Sequence, residues 1–103
     1  MFNKKPIYIK VYANHCSNAL LFQSEDTSIQ PRDIVMISLQ EREVPAMVVQ
    51  VSRKIKNKNI NPEFILRKAG FFERNKLSTD VRNRVKNEKL AWIDEIEYWN
   101  AMD

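Results

Sequence analysis

The chain has 103 residues, one cysteine, one glycine and a formal net charge of +4. That length suits a single domain over 1–103 with one modest core. One cysteine excludes an internal disulfide and fits a reducing cytosol, and one glycine excludes a glycine-rich phosphate loop. No stretch approaches the roughly 20 apolar residues of a membrane span. The basic start, Met1-Phe2-Asn3-Lys4-Lys5-Pro6, leads into an alternating segment and not a signal-peptide core. The expectation is a cytoplasmic protein with no membrane partner.

In chain order, Ile7-Tyr8-Ile9-Lys10-Val11-Tyr12 alternates at period two, with Ile7, Ile9 and Val11 toward a core and Tyr8, Lys10 and Tyr12 on the other face. Two tyrosines flanking a lysine suit base stacking, although aromatic residues also favour strands for packing alone. Residues 13–18 read as a loop, 19–23 as a short strand and 24–28 as a second loop. Residues 31–51 organise the chain. Pro31-Arg32-Asp33 is a turn, Ile34-Val35-Met36-Ile37-Ser38-Leu39 a strand, Gln40-Glu41-Arg42-Glu43 a polar tip, and residues 44–51 the returning strand. Near-continuous apolar runs predict burial on both faces, as in a small closed barrel or a strand covered by helices.

Beyond residue 51 the sequence predicts helices. Residues 52–59 continue the last strand into a basic loop. Asn61-Pro62 caps a short helix over residues 64–69, ended by Gly70 in a left-handed cap, with a strand through Phe64-Ile65-Leu66 as the alternative. Phe71-Phe72 is expected to anchor in the core. Ser78 or Thr79 starts a final helix to about Asn100, whose stripe is Val81, Val85, Trp92, Ile96 and Trp99. The predicted fold class is α+β: a small, mostly antiparallel β-barrel (1–58), then a helical part (59–103) with one short helix and a long C-terminal amphipathic one.

Charge is segregated along this plan. Residues 1–52 net zero. Residues 53–93 carry twelve basic and four acidic side chains, a net of +8, and residues 94–103 net −4. A segregated basic segment is what a polyanion binder presents, and equally what a lysine-rich solvated surface presents. On the predicted helix the bases precede the acids, against the macrodipole, which takes them out of the helix's own stabilisation.

The order of Ile9-Lys10-Val11, Leu20-Leu21-Phe22, Ile29-Gln30-Pro31-Arg32-Asp33-Ile34-Val35-Met36-Ile37 and Ala46-Met47-Val48-Val49-Gln50-Val51 resembles the N-terminal DNA-binding domain of the primosomal helicase PriA family, over about residues 7–51. The resemblance implies a small β-barrel that captures a DNA 3′ end at a fork. Ala19-Leu20-Leu21 stands where the family has Phe-Asp-Tyr, so the end-reading carboxylate is absent. Arg32 stands where the family has Gly.

Catalysis is not expected. His15 and Cys16 are adjacent and have no further His or Cys to complete a metal site or a nucleophile–base pair. Glu25-Asp26 and Glu41/Glu43 lie on polar loops, where carboxylates are solvated. No metal and no cofactor is predicted. Two functions remain. The first is a module binding single-stranded or forked DNA, or RNA, in replication or restart. It would use phosphate contacts from Arg53, Lys54, Lys56, Lys58, Arg82, Arg84 and Lys86, with Tyr8, Lys10 and Tyr12 at the bases. The second is a phage- or mobile-element-type protein docking on a host protein through Asp94-Glu95-Ile96-Glu97-Tyr98-Trp99.

Overall fold

The computed structural model describes residues 5–56 and 60–96. One sheet runs β2-β1-β4-β3-β5, formed by β1 (Ile7–Ala13), β2 (Leu20–Ser24), β3 (Ile34–Leu39), β4 (Arg42–Ser52) and β5 (Arg67–Lys68). These strands pair antiparallel and curl into a half-barrel. β6 (Ala91–Trp92) pairs parallel with Gln50 and Val51, taking over the edge of β4 beyond the last β3 partner, Met47. The stretch 63–69 laces across the open side. It exchanges hydrogen bonds with Gln23 of β2 at 2.9 Å, then donates to Met36 and Ile34 of β3 at 2.8 and 2.9 Å.

The alternation read from β1 accounts for the inner core. Ile7, Ile9, Val11 and Ala13 meet Phe22, Ile29, Val35, Ile37, Ala46, Val48 and Val51. Val48 and Val51 both point inward although three residues apart. The β1–β4 register slips between Lys10 and Val11, so the Val49-Gln50 region carries one extra residue, a β-bulge. Val49 consequently faces outward, beside Met47, Ile34 and Tyr12, where α2 (Thr79–Lys86) covers it with Val81 and Val85. Residues 34–37 and 45–49 are thus buried on both faces, as their apolar runs predict, while the tip between them is exposed.

The β3–β4 turn is tighter than the four-residue tip expected. Leu39 pairs with Arg42, and Gln40 and Glu41 take φ of 51° and 65°, a two-residue hairpin with both central residues left-handed. Neither is Asn or Gly, so the turn is strained. Replacing Gln40-Glu41 with Asn-Gly should therefore raise stability by roughly 1 kcal/mol in urea unfolding. No gain would mean the turn adopts another geometry.

The helical part is where the prediction fails, and the fold is mostly β and not α+β with a long helix. Residues 64–69 form no helix. Phe64 bridges Gln23, and Arg67 and Lys68 form β5, close to the strand alternative. Gly70 has φ −78° and precedes the one-turn helix α1 (Phe71–Arg74); it is not a left-handed C-cap. Phe71 and Phe72 are 73% and 81% exposed and do not anchor in the core. Ser78 does cap α2, accepting from the Val81 N–H at 3.2 Å, but α2 stops at Lys86.

Over residues 91–96 the chain is extended. Ile93 N–H bonds Val51 at 2.9 Å and Ser52 Oγ donates to the Asp94 carbonyl at 2.8 Å. Ile96 is buried, in a bridge with Ile55, and Trp92 is 41% exposed with its indole N–H on Gln30. These two are not a helical stripe, and Trp99 lies outside the described residues. None of the described helices is long and apolar enough to cross a membrane.

Candidate nucleic-acid interface

Three contacts fix α2 against the sheet. Asn14, just past β1, accepts the Ser78 N–H at 2.8 Å and donates to the Lys76 carbonyl at 2.9 Å, holding the start of α2 at the end of β1. Tyr12 donates its hydroxyl to Glu88 at 2.9 Å, holding the other end. Arg84 lies 4.5 Å over the Tyr12 ring and donates to the carbonyls of Cys16 and Ser17. With the helix ending at Lys86, Asp80 occupies its first turn and Arg84 and Lys86 its last, the order the macrodipole favours. These bases therefore do not oppose the dipole, as they would on a helix continuing to Asn100.

Between α2 and the start of β3 lies a cleft of about 340 Å³. Met47, Val85 and Leu90 form its apolar floor, Thr79 and Asn83 its polar wall, and Arg32, Arg82 and Lys86 its cationic rim. No carboxylate lines it. Arg82 and Lys86 meet there because they are four apart on one helix. Arg32 arrives from the turn before β3, where its N–H bonds the Val48 carbonyl at 2.8 Å and its φ is 80°. An arginine in that left-handed conformation costs about 1–2 kcal/mol that a glycine would not. By contrast, the cleft of about 430 Å³ beside β2 and the β3–β4 turn carries Glu41 and Glu63 and no base.

The structure splits the predicted site residues. Arg82 and Lys86 share the cleft above. Tyr8, Arg53 and Lys54 line a second one with Ile55, Ile60 and Glu95. Tyr8 and Tyr12 are four residues apart along β1, about 13 Å, so the two groups sit toward opposite ends of that strand. Lys10 is half-buried between Leu21 and Gln50. Lys56 donates its N–H to Ile96, and Lys58 lies outside the described residues.

Arg84 is committed to Tyr12 and the 16–17 carbonyls. Tyr12 is only 8% exposed and Tyr8 packs near Leu21, Ile55 and Ile96, so the open tyrosine platform does not form. Arg32 was missed because its turn reads as purely structural. The signal available was a bulky base at a position the resembled family gives to glycine. Of the alternative contact surface, Asp94 and Glu95 are exposed, while Glu97, Tyr98 and Trp99 lie outside the described residues. Among the described residues no cluster of three His, Cys, Asp or Glu side chains is placed to hold a metal.

Burial, then the Glu88 hydrogen bond, pushes the Tyr12 hydroxyl above the ordinary tyrosine pKa. The fold favours the neutral phenol, so this contribution is complete below about pH 10 and is lost as pH rises through the higher folded value. Absorbance titration should show one tyrosine ionising above that range, and Tyr12→Phe should remove it. Ionisation of every tyrosine near pH 10 would contradict the Glu88 contact.

Fold and site together define a class: a small curled antiparallel sheet with a short helix laid across its outer face and a three-cation, apolar-floored cleft at their junction. No protein-family model matches this chain, and searches of curated proteins and of solved structures found no match. None of these comparisons links it to the primosomal helicases.

Proposed function

We propose that the protein is a nucleic-acid-binding module without catalytic activity, and that the Arg32–Arg82–Lys86 cleft holds the phosphate backbone. One observation carries this reading: three cations converge on an apolar floor with no carboxylate among them, and one is kept in a strained backbone conformation. Fixed cations without local counter-charges suit phosphates, and an apolar floor suits the flat face of a sugar or base. The PriA resemblance suggests forked DNA among the ligands, without capture of the 3′ end, since the carboxylate for that is missing. The setting proposed is the cytosol, in keeping with the unpaired thiol of Cys16.

Fluorescence anisotropy with labelled single-stranded DNA, forked DNA and RNA at low salt tests this directly. Binding that weakens steeply with added salt is expected. Absence of binding to all three at low salt would overturn the reading and turn attention to a protein partner at the acidic residues from 94 onward.

A further inference from the structure

α1 buries none of its residues, yet it is built firmly. Glu73 reaches back to the Gly70 N–H at 2.9 Å, pairs with Arg67 and is held below the ordinary carboxylate pKa first by that backbone contact. Arg67 in turn donates to Glu43 of β4 at 2.8 Å, tying the turn to the sheet. What this scaffold presents is Phe71 and Phe72, both largely exposed, with ring centroids 5.5 Å apart at 84°. In an edge-to-face pair at least one ring face stays open. The surroundings are basic: Arg74 and Lys76 are exposed, and Arg82 donates to the Arg74 carbonyl at 2.8 Å. Of the acids on this side, Glu73 and Glu43 are both taken up by Arg67, and Asp80 stands exposed in the first turn of α2. Arg82 is therefore shared, lining the phosphate cleft while touching the end of the single turn that carries the phenylalanines.

We infer that Phe71 and Phe72 are a stacking platform for unpaired bases, so that the ligand is single-stranded, its backbone passing from Arg74 and Lys76 over Arg82 to Arg32 and Lys86. This rests on the nucleic-acid reading above and adds the strand state and the base-contacting residues. Every base has a π-face, so such a platform is tolerant of sequence, and it needs bases free of a duplex stack. Charge complementarity favours this occupant over a second copy of the chain, which would bring the same cations against these.

The test compares the parent with Phe71→Ala/Phe72→Ala on an unstructured 20-mer single strand and on a duplex of the same length. Both rings are exposed, so the variant should melt with the parent. Its affinity for the single strand should fall roughly tenfold or more, with the salt slope unchanged and duplex binding unaffected. If the parent binds single strands and the variant binds them equally well, the platform is overturned and the cleft reading stands. Equal losses on both ligands would make the rings a duplex wedge and overturn the inference. A parent that sediments as a dimer and a variant that sediments as a monomer would assign the rings to self-association and overturn it too. A parent that binds neither ligand at low salt removes both readings.

Discussion

Val48→Asp is expected to unfold the protein. Val48 is fully buried in β4, between β1 and β3, packed in the inner core. A carboxyl there meets no donor. It must be buried charged or forced neutral, at a cost of roughly 4–5 kcal/mol or more. A domain of this size has about 5–10 kcal/mol of stability, so little would remain at 37 °C. Circular dichroism melting should show the transition lowered by more than about 20 °C or lost. A cooperative melt near that of the parent would mean that β4 does not occupy the centre of the sheet.

The largest functional effect is expected from Arg32→Ala/Arg82→Ala/Lys86→Ala. If each cation neutralises one phosphate, the plot of log affinity against log salt should flatten by about 2 on a single strand, and affinity should drop on the order of 100-fold at 50 mM salt. Sequence preference should hardly change, because phosphate contacts position and do not read bases. Arg32→Gly isolates one contact cleanly. Relief of left-handed strain, about 1–2 kcal/mol, is offset in part by the extra freedom of glycine in the unfolded chain, so stability should stay within about 1 kcal/mol of the parent. Its slope should still fall by about 0.7. An unchanged slope in the triple variant would remove the cleft from the phosphate path.

The strands were legible because their signals are local. Alternation in residues 7–12 gave β1, and the apolar runs either side of a charged tip gave β3 and β4 with their two-sided burial. The final helix was misread across a gap. From Val85 the next stripe positions are Glu88 and Lys89, both charged, so linking Val85 to Trp92, seven positions on, skips a full charged turn of the stripe. Glu88 instead reaches Tyr12, and Leu90 turns the chain toward β4. The parallel pairing of β6 could not be read, since two residues carry no periodicity and their partner lies some forty positions away.

The cleft was half legible. Arg82 and Lys86 at i and i+4 were named, but they entered with bases from the far end of β1, because linear charge counting does not resolve which end of a strand a loop returns to. Phe71-Phe72 looked like core by residue type alone, although the charged run that follows it, Glu73-Arg74-Asn75-Lys76, argued for the surface.

Amide chemical-shift mapping with a short single-stranded oligonucleotide at low salt reaches the central claim most directly. Shifts should concentrate at Arg32, Asp33, Met47, Arg82, Asn83, Lys86 and Leu90, with Tyr8, Arg53 and Lys54 nearly still. Shifts centred on Tyr8, Arg53, Lys54 and Ile60, or a spectrum unchanged at saturating ligand, would contradict the assignment of the cleft as the nucleic-acid interface.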